Sequence, residues 1–327
     1  MTELLSSSAA IDHLISGTHR LIDVRSEGEF TKASIPGSQN SPILNNEERH
    51  AVGLCYKVAG QHEAIALGHK LVDPLRESRV ATWIEIGASH QDSPIMIVCW
   101  RGGMRSQFAT EWINSAGRPA LRIEGGYKAL RADLTSEFLK SRSFLVLSGR
   151  TGSGKTTLLK NLPIAEKIDI EELAAHRGSS FGRMMGRAQP SQATFENALS
   201  LGLRPHTRPM VVEDESKVIG SLHLPEALYA SMSSSPVVQL EVSAFQRSQT
   251  IFVDYVEVPS RSTDAQTLES QLSGSVIFHQ SIRPLGMKEE IPPFRLVFFD
   301  PKTASYQTLT TEPIPLQMEP SAAAPPG

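Results

Sequence analysis

Two short segments of this chain carry residue types and spacings suited to the chemistry of anions. The first is Cys99-Trp100-Arg101-Gly102-Gly103-Met104-Arg105-Ser106. It places a thiol ahead of a glycine pair and two arginines. Backbone N–H groups curled into a turn make an anion-binding nest. Glycines permit the tight curl, and a following helix adds the positive end of its dipole. With Arg101 and Arg105, each term favours thiolate over thiol, so Cys99 is expected to be a nucleophile rather than a small buried hydrophobe. The second segment is Gly149-Arg150-Thr151-Gly152-Ser153-Gly154-Lys155-Thr156, which matches the phosphate-cradling G-x-x-x-x-G-K-[ST]. Its amides at Gly149, Gly152, Ser153 and Gly154 are expected to cradle phosphate oxygens. Lys155 pairs with the terminal charge, and Thr156 faces any Mg²⁺. The pair implies group transfer through sulfur or selenium at one site and a bound di- or triphosphate at the other.

Both segments need rigid elements behind them. Leu21-Ile22-Asp23-Val24-Arg25 reads as a short buried strand, and Ala33-Ser34-Ile35-Pro36-Gly37-Ser38 as a turn. Ile95-Met96-Ile97-Val98 is an apolar strand that runs directly into Cys99. Ser106 is expected to cap a helix from Gln107 to about Ala116, which Gly117 ends. Ala120-Leu121-Arg122-Ile123 is a further strand, closed by Gly125-Gly126. In the second half, Phe144-Leu145-Val146-Leu147-Ser148 is a strand, and a helix is expected from Thr156 to about Leu162. This is the strand–loop–helix context that a phosphate loop requires. Strands alternating with helices indicate a parallel α/β sheet, with reactive groups at the carboxyl ends of the strands.

Two further segments could serve the phosphate site. Pro209-Met210-Val211-Val212 runs into Glu213-Asp214-Glu215-Ser216. Glu213 or Asp214 could supply a second-strand carboxylate, a solvated acidic turn being the alternative. Asp169 to Gly182 is an acidic stretch followed by a basic, Gly/Ser-rich turn holding His176 and Arg177. These two residues suit either substrate contact or structural hydrogen bonding. Ser191 is placed to cap a helix beginning at Gln192.

The chain has 327 residues, enough for about two domains. Hydrophobic residues make up 40% and charged residues 20%, the balance of a globular protein. No apolar run reaches the roughly 18 residues of a membrane span, and no secretory signal is visible. Two cysteines, Cys55 and Cys99, suggest a reducing, cytoplasmic setting rather than a disulfide framework. Cys55 has no anion loop around it. Net charge is -3, so any nucleic-acid contact must rest on local basic residues. Candidates are Arg101, Arg105, Lys128, Arg131, Arg177 and Arg183. The chain ends in Pro313, Pro315, Pro320, Pro325 and Pro326, a composition expected of a disordered tail.

Several blocks carry a resemblance. Asp23-Val24-Arg25, Glu29-Phe30, Ile35-Pro36-Gly37-Ser38-Gln39-Asn40, the Cys99 loop and Glu124-Gly125-Gly126-Tyr127 are similar to a rhodanese domain. Arg105 follows Cys99 at C-x5-R spacing. That loop is longer than in ordinary sulfur-transferring rhodaneses, and it is also the spacing of related phosphatases and arsenate reductases. Adding Gly53-Leu54-Cys55-Tyr56-Lys57, Ala66-Leu67-Gly68-His69-Lys70-Leu71-Val72, Gly152 to Thr156, His176 to Gly182, Phe195-Glu196-Asn197, Glu213 to Ser216 and His223-Leu224-Pro225, the chain resembles the bacterial tRNA 2-selenouridine synthases.

The resemblance covers about residues 10 to 245 and fades after about Thr250. It implies an α/β fold: a rhodanese-like parallel-sheet domain over 1–140, a P-loop domain over 141–250, and a divergent C-terminal segment over 251–327. It implies a two-step reaction on the wobble 2-thiouridine of tRNA. Geranyl diphosphate alkylates the sulfur, and selenium from selenophosphate, carried on Cys99 as a perselenide, then replaces S-geranyl. Cys99 is the implied catalytic residue. Arg101, Gly102, Gly103, Arg105 and Ser106 form the selenophosphate loop, and the P-loop residues hold diphosphate. Mg²⁺ is possible at Thr156; no dedicated metal site and no tightly bound cofactor are expected. Two other functions stay open: a C-x5-R phosphatase or reductase fused to a kinase-like module, and a non-catalytic tRNA-binding protein.

Overall fold

The computed structural model describes residues 3–178, 182, 184, 186–205, 209–252, 290–291, 295–300, 305–310 and 312–315. Arg183 lies outside them, as does the tail beyond residue 315. Through Asp264 the chain forms one compact unit holding two parallel sheets.

The first sheet is built from β1 (Leu4–Leu5), β2 (Leu21–Asp23), β3 (Gln39–Asn40), β4 (Ile95–Val98) and β5 (Ala120–Ile123), in the order β1-β5-β4-β2-β3. Every pairing is parallel. Helices α1 (Ser7–Ile15), α2 (Glu27–Lys32), α3 (Asn46–Ala59), α4 (Gln61–Val72), α5 (Arg76–Gly87), α6 (Met104–Ser115) and α7 (Gly126–Ser136) cover its faces. All four residues of β4 are buried, Ile95 and Ile97 in one core and Met96 and Val98 in the other. A strand covered on both faces must read as a continuous apolar run. The strands expected at 95–98 and 120–123 occupy those residues, and the one expected over 21–25 spans Leu21–Asp23.

The second sheet joins β6 (Phe144–Gly149), β7 (Lys167–Ile168), β8 (Met210–Glu213) and, after the short hairpin β9 (Val218–Ile219) and β10 (Leu222–His223), β11 (Val237–Leu240). Its order is β11-β6-β8-β7, again parallel. The accompanying helices are α8 (Lys155–Asn161), α9 (Ile170–Ala174), α10 (Gln192–Leu203), α11 (Glu226–Ser233) and α12 (Ala244–Phe252). Ser191 caps α10 as expected, its side chain accepting from the Thr194 amide.

A polar seam locks the two sheets' layers together through α10. Asn197 is fully buried, and its Nδ2 donates to the Ser34 carbonyl at 2.7 Å and to Tyr127 Oη at 3.2 Å. Arg131 on α7 donates to Asn197 Oδ1 at 2.8 Å and to the Ala193 carbonyl at 3.0 Å, and pairs with Glu196. Arg204 reaches back to Asp12 and Asp133, both at 3.1 Å. Arg131, expected to contact tRNA, is therefore committed to an internal strut.

The residues from Ala265 onward form a separate unit. In it β12 (Glu290–Ile291) pairs antiparallel with β15 (Ile314–Pro315), and β13 (Arg295–Asp300) with β14 (Ser305–Thr310). Pro315, assigned from composition to a disordered tail, ends a short strand instead. A terminal proline needs no ladder N–H there.

Candidate active site

The thiol loop leaves the carboxyl end of β4 and is pinned by the start of α7. The Tyr127 amide donates to the Cys99 carbonyl at 2.8 Å and the Lys128 amide to the Trp100 carbonyl at 3.1 Å. This requires backbone against backbone. A Cβ on Gly126 would lie 2.3 Å from both the Cys99 carbonyl oxygen and the Gly102 nitrogen. One on Gly102 would lie 2.7 Å from the Ile123 carbonyl oxygen, and both glycines have positive φ. The Gly125-Gly126 pair is thus part of the loop's construction.

Cys99 is buried, with Sγ 3.1 Å from Ser106 Oγ. Ser106 was expected to cap the following helix. Instead α6 begins at Met104 with Gly103 as its cap, and Ser106 sits in the first turn, where its hydroxyl is the nearest polar partner of the thiol. Arg101 is exposed. Arg105, expected to lend a free charge to the loop, is paired with Glu29 at 2.7 Å, and Glu29 also holds Arg49 at 2.9 Å. Burial pushes the Glu29 carboxyl up, but its hydrogen bond from Arg105 and the two guanidinium charges outweigh that and hold it below the usual value. Behind the loop, fully buried Arg25 pairs with Asp23 at 2.6 Å and lies 4.0 Å from the Tyr127 ring centroid. Tyr127 in turn stacks on Trp100, centroids 5.5 Å apart. Trp100, next to the nucleophile, is 40% exposed.

The phosphate loop leaves the carboxyl end of β6. It lines a cavity of about 440 Å³ with Gly149, Gly152, Ser153, Gly154, Lys155 and Thr156 in its wall. Lys155 Nζ donates to the Gly149 carbonyl at 2.7 Å, folded back over the loop. Helix α8 begins at Lys155, one residue before the expected start. Gly152 is pressed against α12, where a Cβ would lie 2.5 Å from the Arg247 carbonyl oxygen. Arg177 and Asp214 also line this cavity, whereas His176 is buried with its ring against Gly182.

Below Thr156 lies a carboxylate set in which Glu213, one of the two candidates for the second-strand carboxylate, is joined by Glu171 and Glu215, which sequence reading did not assign. Thr156 Oγ1 donates to Glu213 Oε1 at 3.0 Å and lies 3.3 Å from Glu171 Oε2. Glu171, Glu213 and Glu215 offer oxygens all within 4.8 Å of one another. Gly178 covers Glu215 so closely that a Cβ would lie 2.4 Å from either carboxylate oxygen. Burial, then the charge of Glu171, raises Glu213 to about 8. Burial and the charge of Glu215 raise Glu171 to about 7. Burial, together with the Glu213 charge, raises Glu215 to about 7 against a hydrogen bond with Glu171. Glu213 Oε2 is buried without a hydrogen-bond partner. Three hard oxygen donors beside a P-loop threonine, one with an orphaned oxygen, fit a divalent cation. Glu171, Glu213 and Glu215 would hold it together with Thr156, and it would neutralise phosphate charge. The signal in the sequence was the acidic run at 213–215. Glu171 could be found only once β7 and α9 brought it alongside β8.

A thiol loop on one parallel sheet and a phosphate loop on the next define a rhodanese-like domain joined to a P-loop domain. A rhodanese-like domain family matches residues 6–133, and the tRNA 2-selenouridine synthase AAA domain family matches 142–284, past Thr250 where the resemblance was expected to fade. The chain is 44% identical over 245 residues to a protein of Marinobacter nauticus named tRNA 2-selenouridine synthase, covering 72% of this chain and 65% of that one. It is also 44% identical over 262 residues to one of the same name from Sulfurovum sp., covering 78% of this chain and 71% of the relative. The chain belongs to the tRNA 2-selenouridine synthase family, and it spans about two thirds of the length of these relatives. Among solved structures, a rhodanese-related protein from Thermoplasma volcanium is 19% identical over 40% of this chain and 92% of its own, with a TM-score of 0.26. No helix among the described residues is long and apolar enough to cross a membrane.

Proposed function

We propose that this chain is a cytoplasmic tRNA 2-selenouridine synthase acting on 2-thiouridine at the wobble position. The observation that carries the reading is the presence of both anion sites, thiol loop and phosphate loop, in one compact unit of a chain that belongs to this family. In the first step the thiouridine sulfur attacks C1 of geranyl diphosphate, the C–O bond breaks, and diphosphate leaves in the P-loop. Lys155 and the loop amides stabilise the departing charge, a role that needs no ATP hydrolysis.

In the second step S-geranyl leaves C2 and selenium takes its place through Cys99. Electron balance selects the course. Selenophosphate carries selenium at the selenide level, two electrons below a perselenide, so loading Cys99 as a perselenide needs an oxidant and, later, a reductant. The redox-neutral course has the Cys99 thiolate add to C2 and expel geranyl thiol. The selenium of selenophosphate then displaces Cys99, and water cleaves the P–Se bond to release phosphate. Ser106 Oγ, 3.1 Å from Sγ, is placed to hydrogen-bond the thiolate when it forms and when it leaves.

The test is mass spectrometry of nucleosides from tRNA incubated with the protein, geranyl diphosphate and selenophosphate. Both S-geranyl-2-thiouridine and 2-selenouridine should appear. Phosphate release without modified nucleosides would instead favour the phosphatase and kinase-like alternative.

A further inference from the structure

A second cavity among the described residues is larger than the phosphate site. It measures about 680 Å³, within the roughly 300–1,000 Å³ range of small-molecule sites. It lies between α6 and the α3–α4 hairpin, and its wall includes Met104 and Arg105, residues of the Cys99 loop.

Its floor is elongated. Met104, Phe108 and Trp112 all line it, four residues apart on α6, so they form one stripe leading away from the thiol loop. Eight residues of helix make that stripe about 12 Å long. Phe108 and Trp112 are stacked, centroids 6.2 Å apart, which gives the floor a continuous aromatic surface. The roof is under-packed. Helix α3 runs for 14 residues and buries none of them. Gly53 on α3 and Gly68 on α4 both line the cavity, and a Cβ on either would meet nothing within 4 Å. Glycine inside a helix weakens it, and here two of them leave open space over an apolar floor. His50 and Lys57 also border the cavity, beside Arg49, whose guanidinium is paired with Glu29; the lysine is complementary to an anionic substrate whose apolar part lies inside.

We propose that this cavity receives the prenyl chain of the S-geranyl thioether during the selenium step, with the sulfur end at Met104, in the segment that follows Cys99, and the RNA phosphates toward His50 and Lys57. The proposal rests on the synthase function above and adds a binding site for the leaving group. Holding the chain along α6 would bring C2 of the base to the thiol and draw geranyl thiol away as it is expelled.

The test is Gly53→Leu in the full-length chain. Leucine favours helix and enters open space, so the melting temperature should equal or exceed that of wild type. It should displace two or three chain carbons, each worth about fourfold in affinity. The KM for an S-geranyl-2-thiouridine anticodon stem-loop in selenation should therefore rise by about fifteenfold to sixtyfold. Gly53→Ala should raise it about fourfold or less, and the KM for geranyl diphosphate in the alkylation step should stay near wild type. An unchanged KM for the S-geranyl RNA, or a rise only for geranyl diphosphate, would overturn the assignment. Calorimetric titration with geraniol separates this site from the overall function, since it needs no turnover. Wild type should bind geraniol and Gly53→Leu should bind it at least tenfold more weakly. Equal binding by the two would refute the cavity site even if selenation is intact. If no nucleoside is modified but geraniol binding still depends on Gly53, the synthase reading fails and the cavity stands.

Discussion

Arg131→Ala discriminates between two roles for one arginine. Residue type alone offers Arg131 as a tRNA phosphate contact, whereas its side chain is committed to Ala193, Asn197 and Glu196 on α10. The ion pair is part-exposed, 25% and 20% at the two side chains, so by itself it contributes about 1 kcal/mol at most. The larger loss is at Asn197. That residue is fully buried, and its Oδ1 would lose the Arg131 donor, at about 1–3 kcal/mol for an unsatisfied buried acceptor. Together the variant should destabilise the two-sheet unit by about 1–4 kcal/mol. At roughly 2–4 °C per kcal/mol for a unit of this size, the melting temperature should fall by about 2–16 °C. The slope of log affinity against log salt in filter-binding titrations with tRNA should not change, because no phosphate contact is lost. Lys128→Ala, at an exposed lysine beside the thiol loop, should reduce that slope by about one contact and leave the melt unaltered. If Arg131→Ala melts with wild type and lowers the salt slope, the strut is wrong and the arginine faces RNA.

Cys99→Ser should abolish 2-selenouridine while S-geranyl-2-thiouridine still forms, and Cys55→Ser should do much less; selenation at the wild-type rate by Cys99→Ser would remove the thiol from the mechanism. Lys155→Ala deletes a charge-assisted phosphate contact worth roughly 1.5–3 kcal/mol, so geranylation should slow by about ten- to a hundredfold; tight ATP binding with steady hydrolysis, and no geranyl diphosphate binding by calorimetry, would move the chain to the kinase-like alternative. The raised values of Glu171, Glu213 and Glu215 mean that the folded state binds more protons than the unfolded one above the ordinary carboxylate range. Their contribution to stability is present at low pH and is lost as pH rises through about 7 to 8. In EDTA the melting temperature should therefore fall between pH 5.5 and 8.5 more steeply for wild type than for Glu213→Gln, and added Mg²⁺ should stabilise wild type more at the upper pH; parallel curves would refute the carboxylate cluster. Gly126→Ala forces a Cβ to within 2.3 Å of the Cys99 carbonyl, so selenation should be lost with geranylation retained; a wild-type selenation rate would show that the loop tolerates displacement.

Local and periodic features were legible in the residues alone. The apolar run at 95–98 leads into the thiol because a strand buried on both faces has no other pattern available to it. The G-x-x-x-x-G-K-[ST] loop after Phe144–Ser148 identifies a phosphate cradle because its chemistry resides in contiguous backbone amides. Ser191 was legible as a cap for the same reason, since its partner is three residues away. Pairings across long separations were set by packing. Arg105 and Glu29 are far apart in the chain, so no spacing foretold that the loop's charge is neutralised. Ser106 serves the thiol instead of capping because α6 starts earlier, at Met104, once Gly126 has drawn the loop against α7. Glu171 joins Glu213 and Glu215 only when β7 and β8 pair in parallel. The cavity beside α6 needs the α3–α4 hairpin folded over it, and an empty volume leaves no pattern in the residues that line it. A side chain's type states what it can do; which partner it does it with is set by packing between segments distant in sequence.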